Sequence, residues 1–98
     1  SSDISLKENI LPIENALEKL CKIRGVTFDW KDEYLETRES DLHQKRDTGI
    51  IAQEVQEVLP EVVKDGEYKS VAYGNMVGIL IEAIKELKAE VEKLKESK

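Results

Sequence analysis

The most regular pattern of apolar and polar positions lies in the last third of the chain. Val77, Leu80, Ile84, Leu87, Val91 and Leu94 step by 3, 4, 3, 4 and 3 residues. That spacing draws one apolar seam along a helix, with Val or Ile at every a position of a heptad and Leu at every d position. Glu90 at g and Lys95 at the next e carry the signs expected between parallel helices. Fewer than three heptads are present, so this helix does not hold together alone and needs partner chains or the rest of the domain. The charges on both flanks point to self-association rather than burial within one monomer. β-Branched a residues with Leu at d favour two strands, but the globular part must also fit the symmetry. The pattern alone leaves dimer or trimer open.

Upstream the pattern changes. Ser5-Leu6-Lys7-Glu8 has the form of a capping box and predicts a short helical turn. Ile10, Ile13, Leu17 and Leu20 recur at three- and four-residue steps and predict a helix through "IENALEKLCKI", capped by Asn9, with Pro12 in its first turn and Gly25 as its stop. "GVTFDWK" alternates, with Val26, Phe28 and Trp30 on one side, which predicts a half-buried strand. Residues 32–47 are polar and charged and read as an exposed, mobile loop. In "TGIIAQEVQEVLPEVV" a turn at Gly49 leads into a short apolar strand. A helical turn or two carrying Val55, Val58 and Leu59 follows and ends at Pro60. "KDGEYKSV" predicts a hairpin turning at Asp65-Gly66. The expected fold is α+β: a small mixed head with short helices and a few short strands, then a long C-terminal helix in a parallel coiled coil. The whole chain, 1–98, reads as a single domain, with the head over 1–72 and the coiled-coil helix over 73–98.

Composition narrows the function classes. A chain of 98 residues with 37% charged residues and five aromatics has a thin core, which oligomerisation would support. A net charge of −6 argues against a phosphate-binding surface and so against nucleic acid as a partner. No apolar run reaches the roughly 18–20 residues of a membrane span, and no signal-peptide pattern is present. Cys21 is single and follows Leu20 on the amphipathic stretch, so it reads as a small core residue in a reducing compartment. His43 has no second His or Cys at ligand spacing, and neither a metal nor another cofactor is expected.

The first residues pose the chemical question. Ser2 carries a hydroxyl and Lys7, five residues on, an amine. A serine hydroxyl is a poor nucleophile until a base takes its proton. A lysine amine, with an ordinary pKa near ~10.4, can do so only where burial or a neighbouring cation leaves it neutral. Serine-lysine pairs cut peptide bonds on unrelated folds, but this spacing is commonplace, and helix capping by Ser2 or Asp3 is the plain structural alternative.

Three blocks weigh on that choice: "SDISLKENI" with the following "PI", "ALEKL" and "GV" segments, then "TGIIAQEVQEVLPEVV", then "YKSVAYGNMVGILIEAIKEL". Together they resemble the intramolecular-chaperone domain that ends endosialidases and many phage tail spikes, tail fibres and neck appendages. The resemblance runs from Ser2 to about Leu94, and the stretch Gly49–Val55 with Pro60-Glu61 is its most distinctive part. It implies a homotrimer fused behind a fibre or spike segment of the same polypeptide, acting in the host cytoplasm during virion assembly. Such a domain registers three chains, assists folding of the upstream segment, and then releases itself by its own serine peptidase activity. By the resemblance, Ser2 is the nucleophile, Lys7 its base, Asp3 a supporting residue, and the bond Ser1–Ser2 the one cut. With Ser1 as nucleophile the lysine would be six residues away and the Ser-Asp adjacency lost, so Ser2 is preferred.

Two other readings remain. Similar self-cleaving domains trimerise and release membrane-tethered transcription factors of the myelin-regulatory type, in which a membrane span follows the domain; here "KLKESK" follows the coil. The other is a trimerisation module that never cleaves.

Overall fold

The computed structural model describes residues 1–37 and 44–97. Among these described residues, four α-helices, α1 (Ala16–Leu20), α2 (Asp32–Thr37), α3 (Ala52–Val58) and α4 (Val77–Glu96), are combined with four short strands, β1 (Val26–Asp29), β2 (Arg46–Gly49), β3 (Val63–Lys64) and β4 (Ser70–Val71). The order is that of a small α+β head followed by one long helix. The 20 residues of α4 span about 30 Å at ~1.5 Å per residue, over half of the longest extent of the molecule, 56 Å.

The core lies where α4 begins. Ile79 and Ala83 on α4 are buried, as is Met76 just before it, and they meet Ala16 of α1 and Val55 of α3. Leu59 and Val62, around the 3-10 turn Pro60–Val62, close the cluster. Val55 and Ile79 are wholly buried. With so few large apolar side chains enclosed, the head rests on a small core, as the composition led one to expect.

Each strand pair is a two-stranded antiparallel unit. β1 pairs with β2 in the register Val26–Gly49, Thr27–Thr48, Phe28–Asp47 and Asp29–Arg46, and the Trp30 N–H extends the ladder to the Lys45 carbonyl at 2.9 Å. β3 pairs with β4 as Val63–Val71 and Lys64–Ser70. Val26, Phe28 and Trp30 are half-buried while Thr27, Asp29 and Lys31 are exposed, the alternation expected of a one-faced strand. The hairpin around Asp65-Gly66 forms as expected.

Several expectations are corrected. The helix predicted from Asn9 begins only at Ala16. Asn9 and Asn15 both adopt a left-handed backbone, with φ of 54°, which a right-handed helix cannot include, and Pro12 disfavours helical backbone at Leu11. Ile10 and Leu11 are consequently 61% and 82% exposed. The capping box at Ser5 gives way to a 3-10 turn at Ile4–Leu6 capped by Asp3. Cys21 is exposed, because α1 stops at Leu20 and Cys21 is its terminal cap, past the face turned to the core. Gly49 ends a strand instead of opening a turn, so the strand precedes it.

The loop expected over 32–47 is largely structured where it is described. Asp32 and Glu33 stand in the first turn of α2, where carboxylates complement the helix dipole. Tyr34 packs on Trp30 with ring centroids 5.1 Å apart. Residues 46–47 belong to β2. The part of that expectation covering 38–43, including the solitary His43, lies outside the described residues.

Candidate functional site

Two features carry the chemistry suggested by the sequence. The first is the amino-terminal turn. The Asp3 carboxylate accepts hydrogen bonds from the Ser5 N–H at 2.9 Å and the Ser5 hydroxyl at 2.8 Å, as a helix-capping aspartate does. These bonds, the backbone one first, hold its carboxyl below the usual aspartate range. Lys7 closes the same turn, its N–H donating to the Ile4 carbonyl at 3.1 Å. Ser2 thus precedes the turn and Lys7 ends it, and both are exposed. Among the described residues neither side chain has a hydrogen-bond partner, so one chain by itself does not join hydroxyl and amine.

The second feature is the seam. Val77, Leu80, Ile84, Leu87, Val91 and Leu94 are all between 43% and 67% exposed. Ile79 and Ala83, which share the helix with them, are 0% and 2% exposed. The helix therefore has two apolar faces, one spent on the head and one left open. Ile81 at an e position is also exposed, at 51%, and widens the open face in its first two turns. No helix among the described residues is long and apolar enough to cross a membrane.

One residue of α4 ties that helix to α1. Glu86 projects from α4 and accepts from the Ala16 N–H through Oε2 and the Leu17 N–H through Oε1, both at 2.9 Å. Asn15, next to the start of α1, makes no side-chain capping bond, so the cap of α1 is supplied by a different helix. The Leu17 N–H first, then the Ala16 N–H, hold the Glu86 carboxyl below the usual glutamate range. Nothing in the heptad marked Glu86, which occupies a c position with no apolar or pairing signature.

A further grouping also escaped the sequence reading. Phe28, Trp30, Tyr34, Tyr68 and Tyr73, all the aromatics of the chain, line one open cleft between the two hairpins. Phe28 meets Trp30, and Tyr34 meets Tyr68, edge to face. The Trp30 indole N–H donates to Asp47 at 3.2 Å. Their separation along the chain, up to the second hairpin, hides the cluster from any local pattern.

Compared with known families, residues 2–64 match the family described as the chaperone of endosialidase. The chain belongs to that family. The chaperone domain is 42% identical over 101 residues to the long tail fiber protein Gp37 of Enterobacteria phage K3, covering 95% of this chain and 8% of that protein. The equivalent protein of Enterobacteria phage T2 is equally similar, with 7% of its length covered. Myelin regulatory factor homolog 1 of Caenorhabditis elegans is 42% identical over 78 residues, 76% of this chain and 8% of that protein. The chain therefore spans less than a tenth of the length of these relatives. It is a chaperone-type domain related to phage tail-fibre proteins, in a family associated with peptidase activity.

Proposed function

We propose that the chaperone domain joins three chains through α4, sets an upstream fibre or spike segment in register, and then cuts itself free before Ser2. The observation that carries this reading is the open seam: six heptad positions exposed on a helix whose other apolar face is already buried. An apolar stripe of this length on a small protein marks an association surface. The exposed Ile81 beside it favours three strands over two, since a chain in a three-stranded coil turns a wider sector inward. On this reading the head over 1–72 and the helix over 73–98 act as one unit.

Assembly first and cutting second makes physical sense. Long non-local β-structure folds slowly and exposes edges while it does so, and a short helical seam supplies register from local contacts. Removal of the chaperone afterwards closes the return path and leaves the fibre kinetically trapped.

In the cleavage step the Ser2 hydroxyl attacks the carbonyl of residue 1. Lys7 takes the hydroxyl proton and hands one to the Ser2 amine as the peptide C–N bond breaks. Water then releases the acyl group from the Ser2 oxygen, so the residue 1 carboxylate and the Ser2 amine are the products. Ser2-Asp3 and Lys7 fall at the opening of the family match, which supports this assignment, and Asp3 supports the reaction by holding the turn that separates them. Ser2 and Lys7 are both exposed in the single chain, so the shielding that a neutral lysine needs comes from neighbouring chains.

The Caenorhabditis elegans relative, a myelin regulatory factor homolog, supports the second reading of the sequence, in which the same chemistry releases a membrane-tethered transcription factor. Flanking sequence decides between the two. The deciding experiment for cleavage is expression of the domain behind its natural upstream segment. Two products on a gel from the wild type and one from Ser2→Ala support self-cutting, whereas a single uncut band from both leaves a trimerisation module that never cleaves.

A further inference from the structure

We propose that Glu86 is a positioning residue for the cut: it fixes the start of α1, from which residues 8–15 lead back to Ser2 and Lys7, in phase with the seam. This rests on the cleavage reading given above. The amino-terminal turn is joined to the head through residues 8–15, and among the described residues no hydrogen bond holds the chain from Glu8 to Glu14. The first fixed point after the turn is the pair of bonds from Ala16 and Leu17 to Glu86. Ile13, just ahead of it, lies against Gly78 near the start of α4, close enough that a β-carbon there would stand 3.5 Å from its Cδ1. The path from Ala16 to Ile13 therefore runs back along α4 towards its first turn.

Glu86 sits one residue before the seam residue Leu87 on the same helix. When seams pack, the rotation of each α4 about its axis is set, and so is the place of each Glu86. The carboxylate passes that orientation to the start of α1, the fixed root of the segment that leads to Ser2 and Lys7. Apolar packing holds α1 against α4, and two hydrogen bonds from adjacent N–H groups to one carboxylate narrow its pose further.

The test uses the full precursor with its upstream segment, wild type beside Glu86→Ala and Glu86→Gln. Trimer content is read by sedimentation and cutting by gel. Glu86→Ala trimers are expected to cut roughly a hundredfold more slowly, the order of loss that a displacement of about 1 Å causes. Glu86→Gln, whose amide oxygen can still accept, is expected to recover to within about tenfold of wild type. Arg24→Ala, which breaks the pair Arg24–Glu54 elsewhere in the head, is expected to leave the rate unchanged. Glu86→Ala trimers cut at the wild-type rate overturn the proposal. So does a Glu86→Gln chain that no longer trimerises where wild type does, since Glu86 would then be a folding residue. If only Glu86→Ala fails to assemble, Glu86→Gln decides: slower cutting supports the proposal and full-rate cutting overturns it. An uncut wild type, or a Ser2→Ala precursor that is cut, defeats the underlying cleavage reading instead and takes this inference with it.

Discussion

The hydroxyl of Tyr73 occupies the space that a side chain on residue 49 would need: a β-carbon built on Gly49 would lie 2.8 Å from it. The same hydroxyl accepts the N–H of Ile50 at 3.3 Å. Glycine thus serves here by close approach, not by backbone freedom, and it lets the end of β2 dock on the turn that leads into α4. Because the obstructing atom is the tip of a side chain that is 56% exposed, it moves aside, and Gly49→Ala is expected to cost about 0.5–1.5 kcal/mol, the worth of the hydrogen bond given up. In a Tyr73→Phe background, where the obstructing oxygen and its hydrogen bond are already gone, Gly49→Ala should cost less. Urea unfolding of the two single variants and the double variant checks this, and strictly additive losses would mean that the two residues do not collide.

The two faces of α4 should respond differently to charge. Ile84→Asp with Leu87→Asp places two carboxylates in the seam, where desolvation costs several kcal/mol (roughly 2–7 for even a neutral polar group). Because both positions are exposed in the single chain, the expected product is a monomer whose head is still folded and whose α4 frays beyond it. Ile79→Ala, in contrast, opens a cavity in the head and should cost about 2–5 kcal/mol. Sedimentation with circular dichroism separates the cases. A trimeric double-aspartate chain would show that the seam is not the interface.

Cleavage should discriminate between the two cations at position 7. Lys7→Ala and Lys7→Arg should both leave the precursor whole, because a guanidinium stays protonated and cannot act as a base. Trimer content should be unchanged in each. A Lys7→Arg precursor cut at the normal rate rules out the lysine as base.

Acid should loosen the joint between α1 and α4. The Glu86 carboxyl is held below the ordinary glutamate range by the N–H groups of Leu17 and Ala16, so the folded state favours its charged form. Its contribution is complete above the ordinary range and is lost as pH falls through the lowered value. Glu54, held low by Arg24, acts in the same sense. Thermal unfolding followed from about pH 7 to about pH 3 should show a falling midpoint below roughly pH 4.3. Glu86→Gln should lower the neutral plateau and flatten the acid limb. An acid limb as steep in Glu86→Gln as in wild type would show that this carboxylate is not the group responsible.

What could be read from the sequence was what local geometry dictates. The seam from Val77 to Leu94 was legible because helix periodicity alone places those residues on one face. The strand Val26–Asp29 and the hairpin around Asp65-Gly66 were legible for the same kind of reason. The start of α1 was not, since its cap comes from Glu86 and its upstream limit from a left-handed Asn15, neither of which breaks the apolar spacing. The helix α2 was missed because its apolar anchors are only Tyr34 and Leu35, and Tyr34 gains its packing from Trp30 on another element. At the candidate site, the resemblance named Ser2, Asp3 and Lys7. The role of Asp3 as cap was open to local reasoning, whereas Ser2 and Lys7, both exposed, have no local pattern that brings them together.

The bond from Ala16 to Glu86 joins residues 70 positions apart, and this imposes an order in time. A ribosome adding roughly 5–20 residues per second makes the partner of Ala16 only some 4–14 seconds after Ala16 itself. Until then the beginning of the domain has nothing to cap its first helix. Ala16 thus gains its partner when translation has passed only the first half of the seam, and on the cleavage reading a chain stalled before Glu86 is expected to keep its fibre attached.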